Sequence, residues 1–356
     1  MKLAVTHPYS WPEVRRGAER IIVETARSMA ARGHAVTVFT AGAEASRTES
    51  DGVTTVKLRR QFDDPHQHER WFGRALIPHL VRGRFDAVHS MMAYDARAAV
   101  RTRRLTRHRA VYEELGSPIP SYWDTIPDGK VRRRLVRQVD VYGCMSNFSL
   151  DVLRQEWGRQ GDLIPGGVRL SEFEPAPARE PSPTILFSGA LAEPRKGLGV
   201  LLAAADLLIE REPDLQIWLS GPGDPDAMLV DATERVRQRV TLLPIGAPHE
   251  LAERYARAWV LALPSIGDSF GMVLIEALAS GTPIVVADDG APPQLVTETT
   301  GTIAIPGDAR SLTKALEAGF DLARDPSTAE RCRAFARQFD WDQSIAPLLE
   351  KLYTGG

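Results

Sequence analysis

The chain has 356 residues, 43% hydrophobic and 25% charged, which suits two soluble globular domains better than one core. Two cysteines, Cys144 and Cys332, give neither a disulfide framework nor a Cys-x-x-Cys metal spacing, so a reducing cytosol is the expected setting. No stretch approaches the ~18 apolar residues of a membrane span, Leu3-Ala4-Val5-Thr6 is too short for a signal-peptide core, and the net charge is only −2.

In chain order, Leu3–Thr6 and Val36–Thr40 are short apolar runs that predict buried parallel strands. Between them, residues 18–32 predict a helix with Ile21, Ile22, Ala26, Met29 and Ala30 on one face, and Gly33 stands where a helix-terminating glycine belongs. Val53–Leu58, Asp86–Ser90, Ala110–Glu113 and Val139–Met145 predict further strands. Repeated β-α-β units of this kind imply a parallel sheet covered by helices on both faces. This half is basic: residues 1–175 hold 28 Lys and Arg against 21 Asp and Glu, about +7. The rest (44 less 28, and 46 less 21) holds 16 against 25, or −9. Two runs carry much of the positive charge, one from Arg97 to Arg109 and one from Lys130 to Arg137. They read either as solvated helix faces or as attraction to an anionic molecule or membrane surface.

Four prolines between Glu174 and Pro183 predict an extended, semi-rigid connector. The alternation restarts with Ile185–Ser188, Leu215–Ser220, Val240–Leu243, Val260–Leu263, Pro283–Ala287 and Thr302–Ile305. Two doubly wound domains would then face a cleft, and ligands bind outside the strand C-termini of such sheets. The segment after Asp325 predicts two closing helices.

The densest signal runs from Pro264 to Pro283. A buried strand enters a turn containing Asp268 and then an apolar helix containing Glu276. The N–H groups of Phe270, Gly271 and Met272 would point out of the helix N-terminus and suit a phosphate. Glu276, about two turns inside, can accept from two neighbouring ribose hydroxyls, because an ionised carboxylate has two acceptor oxygens. The pattern predicts a site for a nucleotide diphosphate joined to a sugar.

On these residues the sequence resembles the retaining nucleotide-sugar glycosyltransferases of family 4, which have the GT-B fold. A Pro-Ser turn, two acids separated by seven residues, and Glu276-Ala277-Leu278-Ala279-Ser280-Gly281-Thr282-Pro283 follow the family pattern, with Asp268 in place of its first Glu. The resemblance spans nearly the whole chain, and its second half is the more specific. It implies an α/β architecture of two Rossmann-like domains. Residues 1–173 would bind the acceptor, 174–183 link, and 184–338 bind the nucleotide sugar; residues 339–356 would form a C-terminal helix returning to the first domain.

The resemblance also implies site roles. Lys196-Gly197 matches the family's diphosphate-gripping Lys-Gly, while Ala190 replaces its Arg and leaves Arg195 to supply that charge. Asp268, Lys196 and Glu114 are the implied catalytic residues, with Asp268 holding sugar hydroxyls and Glu114 standing where the family commonly has His. Donor contacts fall on Gly17, Gly189, Gly221, Ser269, Phe270, Gly271, Met272, Val273 and Glu276, and on Ile245 in the turn that meets the nucleobase. Arg16 replaces a Gly in the loop before Gly17, and Gln294 replaces a Glu without an assigned role. His89 reads as a structural or acceptor-side group, and Ser146 as a helix N-cap.

The expected activity is metal-independent transfer of a sugar from a nucleotide donor to an acceptor hydroxyl, with retention of configuration. No cofactor is expected beyond the substrate, a UDP-sugar in preference to a GDP-sugar. The acceptor is expected to be anionic or membrane-associated, with no nucleic acid as partner, and the setting cytoplasmic with peripheral attachment to the inner membrane face. A rival reading is a catalytically impaired protein that binds a nucleotide sugar without transferring it, which Ala190, Glu114, Asp268 and Gln294 together favour. A phosphorylase would need a phosphate or pyridoxal-phosphate site that no motif indicates. A nicotinamide dehydrogenase is disfavoured because no Gly-x-Gly-x-x-Gly follows either domain's first strand.

Overall fold

Aliphatic and β-branched runs form the central strands of each sheet, as their burial requires where helices cover both faces. The computed structural model describes residues 1–9, 14, 17–244, 246 and 248–355. The chain divides into two compact units, Met1–Gly167 with Trp341–Gly356, and Val168–Asp340.

The first unit contains β1 (Lys2–Thr6), β2 (Ala35–Gly42), β3 (Ser46–Ser50), β4 (Val53–Arg59), β5 (Ala87–Ser90), β6 (Arg109–Glu114), β7 (Val141–Cys144) and β8 (Asp162–Leu163). Their order across the sheet is β3-β4-β2-β1-β5-β6-β7-β8, parallel throughout except β3 against β4. Helices α1 (Gly17–Ala31), α2 (Pro65–Gly83), α3 (Ala93–Thr106), α4 (Pro120–Thr125), α5 (Gly129–Gln138) and α6 (Asn147–Trp157) alternate with them. Gly33 ends the α1 region at φ +84°, in the left-handed conformation expected of it. Ser146 caps α6 by accepting from the Ser149 amide. The exposed hairpin strand β3 went unforeseen because Ser-Arg-Thr-Glu-Ser offers no apolar face. Its turn is Asp51-Gly52, both at positive φ, a pairing that favours tight hairpins.

The second unit contains β9 (Thr184–Ser188), β10 (Gln216–Ser220), β11 (Val240–Leu243), β12 (Val260–Leu263), β13 (Ile284–Ala287) and β14 (Gly301–Ala304). All pair in parallel in the order β11-β10-β9-β12-β13-β14. Its helices are α7 (Leu198–Leu208), α8 (Pro225–Met228), α9 (Glu234–Arg237), α10 (Pro248–Arg257), α11 (Met272–Ala279), α12 (Ala309–Arg324) and α13 (Thr328–Ala336). Strand order reverses between β9 and β12, the kind of switch point where such sheets hold ligands.

The proline-rich segment 174–183, expected as the connector, belongs to the second unit. Arg179 ties it down by donating to the carbonyls of Ala258 and Gly281 and to the Thr282 hydroxyl. The Trp259 indole donates to the Glu180 carbonyl at 2.7 Å. Prolines stiffen a chain, but the half-buried guanidinium of Arg179 and indole of Trp259 decide where it packs. The units instead meet along the chain at Gly167–Val168 and Asp340–Trp341. The closing helix Ala346–Thr354 lies in the first unit, where the Tyr353 hydroxyl sits 2.8 Å from His89 Nδ1.

Candidate active site

Two loops leave the C-terminal ends of β9 and β12 and close against each other. Gly197 makes this approach possible: its φ is +79°, and a Cβ there would lie 2.2 Å from the Pro264 carbonyl oxygen. The Ile266 amide donates to the Arg195 carbonyl at 2.8 Å, fixing the two loops in register. Arg195 and Lys196 are thereby delivered to Asp268. Lys196 Nζ lies 2.8 and 3.0 Å from the two carboxylate oxygens, and Arg195 Nη1 lies 2.6 Å from Oδ1. Asp268 is buried, Lys196 mostly so, and Arg195 nearly half exposed. Burial alone would raise the Asp268 carboxyl; the charge of Lys196, with hydrogen bonds from Lys196 and Arg195, outweighs it and holds the group below the usual aspartate range. The Ala291 amide fixes the Asp268 backbone by donating to its carbonyl at 2.9 Å. Arg195 also pairs with Glu193, so two cations meet two carboxylates here, and the cationic side chains are the groups suited to an anionic ligand.

The helix that follows starts later than the sequence suggested. Its cap is Gly271 at φ +102°, and α11 runs from Met272. The N-terminal amides are therefore those of Gly271, Met272 and Val273, one residue beyond the predicted trio. Phe270 contributes a buried ring, 5.7 Å between centroids from Phe339.

Glu276 lies on α11 among buried residues and is itself 4% exposed. Its Oε2 accepts from the Tyr255 hydroxyl at 2.9 Å, and that hydroxyl is also 3.2 Å from Ser188 Oγ at the end of β9. Tyr255 is a residue that sequence reasoning missed: it occupies the apolar face of α10, and nothing in the local pattern reveals what its hydroxyl meets 21 residues away. Tyr255→Phe keeps the ring packing and removes the donor that aims Glu276. The expected outcome is a nucleotide affinity about three- to tenfold weaker with little change in melting temperature. Calorimetric titration with UDP checks it, and wild-type affinity would make Tyr255 a packing residue alone.

The other predicted donor positions have definite places. The Gly189 amide donates to the Ser220 carbonyl, and Gly221, at φ +144°, allows the two turns to touch, since a Cβ on it would lie 1.7 Å from the Gly189 carbonyl oxygen. Ser269 lies in the turn between Asp268 and α11. Ile245, like Arg15 and Arg16, falls outside the described residues.

Gly17 and Glu114 belong to the first unit. Gly17 opens α1. Glu114 is buried, and both of its oxygens are engaged: Arg132 Nη1 lies 2.6 and 2.7 Å from them, the Tyr112 hydroxyl donates at 2.8 Å and the Gly116 amide at 3.2 Å. That environment fits a structural carboxylate and lends no support to the catalytic role expected of it. His89 is buried, its Nδ1 hydrogen-bonded to the Tyr353 hydroxyl, while Nε2 lies 3.0 Å from Glu113 Oε2 without hydrogen-bond geometry. Among the described residues no group of three or more His, Cys, Asp or Glu side chains could hold a metal ion. No helix among them is long and apolar enough to cross a membrane.

Comparison with known proteins adds to this geometry. A family model described as Glycosyltransferase Family 4 matches residues 15–172, and one described as Glycosyl transferases group 1 matches residues 182–320. The chain is 28% identical to a phosphatidyl-myo-inositol mannosyltransferase of Mycobacterium leprae, over 100% of this chain and 98% of that relative. Among solved structures, sucrose-phosphate synthase from Thermosynechococcus elongatus superposes with a TM-score of 0.84 at 21% identity, covering 99% of this chain and 98% of that one. The Anabaena protein HepE, solved with UDP-glucose, superposes with a TM-score of 0.77 at 17% identity, covering 99% of this chain and 100% of its own.

Proposed function

The chain belongs to glycosyltransferase family 4 with the GT-B fold, and from that premise we propose that it transfers a sugar from a nucleoside-diphosphate donor to an acceptor hydroxyl with retention of anomeric configuration. The observation that carries the reading is the convergence of Lys196 and Arg195 on Asp268 where the second sheet reverses its strand order. Lys196 and Arg195, with the amides at the start of α11, would take the diphosphate and offset the charge that grows on it as the glycosidic bond breaks. Glu276 would take the ribose hydroxyls and Asp268 the sugar hydroxyls. Two cations at the leaving group make the proposed reaction independent of a metal ion.

The proposed donor is a UDP-sugar before a GDP-sugar, the nucleotide held by HepE, with no further cofactor. For the acceptor we propose an alcohol on an anionic, membrane-associated molecule, in keeping with the phosphatidyl-myo-inositol in the mannosyltransferase relative's name. Cytoplasmic residence with peripheral attachment to the inner membrane face follows from that choice. The rival reading, binding without transfer, draws on the fully engaged carboxylate of Glu114.

Incubating the purified chain with a panel of UDP- and GDP-sugars separates the two. Release of nucleotide, or a glycosylated product whose anomeric proton matches the donor's configuration, is expected. Binding without release from every donor, with and without a phosphoinositide acceptor, would favour the rival.

A further inference from the structure

Three helices of the first unit gather six arginines on one stretch of surface: Arg70 and Arg74 from α2, Arg97, Arg101 and Arg104 from α3, and Arg134 from α5. Gly73 lets the first two helices approach closely, since a Cβ there would lie 2.4 Å from the Tyr94 carbonyl oxygen. Two adjoining cavities result, of about 100 and 330 Å³, and Arg97 and Arg101 line both. Neither cavity has an acidic residue in its lining.

Among the described residues, none of these six guanidiniums has an ion pair or hydrogen bond. Neighbours on the same helices do: Arg103 pairs with Asp140, Arg132 with Glu114 and Asp128, and Arg133 with Asp124. Three neighbouring arginines are thus paired with acids, and the six at the cavities are not. The unpaired charge acts on itself. Arg97 is pushed below the ordinary arginine value, first by burial and then by the positive charges of Arg101 and Arg134. Like charges held together in a hollow create a field that an anion relieves. Planar guanidinium forks match phosphate oxygens two at a time, which favours phosphate over a simple counterion.

We propose that the arginine-lined cavities of the first unit form a binding site for a phosphate group, distinct from the donor residues of the second unit. The phosphate belongs either to a lipid headgroup or to a soluble phosphate ester. The inference stands on first-unit residues alone and does not depend on the donor assignment.

The test uses the full chain and two probes at constant ionic strength, because screening acts within about 8–10 Å at such salt levels. One probe is sodium phosphate, followed by melting temperature. The other is sedimentation with phosphatidylcholine vesicles, either plain or containing phosphatidic acid. A double variant, Arg97→Gln with Arg101→Gln, should respond at least about tenfold more weakly than wild type. A control that removes the same charge from paired arginines, Arg211→Gln with Arg235→Gln, should respond as wild type does. UDP is held at saturation throughout, which fills the donor cations and so separates this site from them. If the cavity variant fails to bind UDP as wild type does, Arg104→Gln with Arg134→Gln replaces it. Loss of the phosphate response identifies a soluble ester, and loss of the vesicle response alone identifies a headgroup. No wild-type response to either probe, or equal losses in the cavity variant and the control, would overturn the proposal.

Discussion

Lys196→Ala should lower kcat by about a hundredfold while the melting temperature stays near wild type. The magnitude is that of one preorganised electrostatic group removed from the site where charge develops. The geometry explains why folding should survive. Asp268 would lose the lysine at 2.8 Å but keep Arg195 at 2.6 Å, so the buried carboxylate is not left without a cation. The loop itself is held by backbone, through the Ile266 amide and the close approach at Gly197. Lys196→Arg should recover only part of the rate, because a planar fork cannot place its charge where a point-like ammonium does. Steady-state kinetics with the best donor, alongside thermal melts, checks this. A kcat near wild type in Lys196→Ala would transfer the assignment to Arg195, and a collapsed melting temperature would make Lys196 a structural partner of Asp268.

The buried strands were the most legible features of the sequence. Runs such as Val260–Leu263 are buried on both faces, so their residue types alone report their environment. The exposed β3 and the two-residue β8 bury too little to leave such a mark. The proline-rich segment misled because proline reports local stiffness, whereas the place of residues 174–183 is set by Arg179 and Trp259 reaching partners about 80 to 100 residues apart in sequence. Within the site, Asp268 and Lys196 could be singled out through the family pattern they match, and Glu276 also through its place two turns inside the helix that follows a buried strand. Arg195 was ambiguous in sequence, since adjacent residues in a turn can point apart; the short helical turn Pro194–Lys196 brings both side chains to one carboxylate. Tyr255 and the true environment of Glu114 were invisible for the same reason as each other. Both depend on hydroxyl, guanidinium and carboxylate groups meeting across the fold, and a residue's own neighbours do not encode that.

Glu276→Ala should weaken nucleotide binding by about 1.5–3 kcal/mol, roughly ten- to a hundredfold, the cost of losing hydrogen bonds to a charged acceptor. The carboxylate is prepared for that role by its surroundings. It is buried on a helix whose other buried residues are all apolar, and Tyr255 holds one of its oxygens while Ser188 supports Tyr255. A buried acid kept at such a site needs compensating partners, and ribose hydroxyls would add to those present. Folding should tolerate the change, because the Tyr255 hydroxyl keeps Ser188 as a partner. Calorimetric titration with UDP and GDP reads the loss, and 2′-deoxy-UDP locates it. Wild type should bind the deoxynucleotide more weakly than UDP, and Glu276→Ala should bind the two alike. Glu276→Gln should fall between wild type and alanine, since it keeps one acceptor oxygen but no charge. Inorganic pyrophosphate, which lacks a ribose, should bind wild type and Glu276→Ala equally. Unchanged affinity of Glu276→Ala for every nucleotide that wild type binds would remove the ribose assignment, and an equal loss for pyrophosphate would move Glu276 from the ribose to the architecture of the α11 N-terminus.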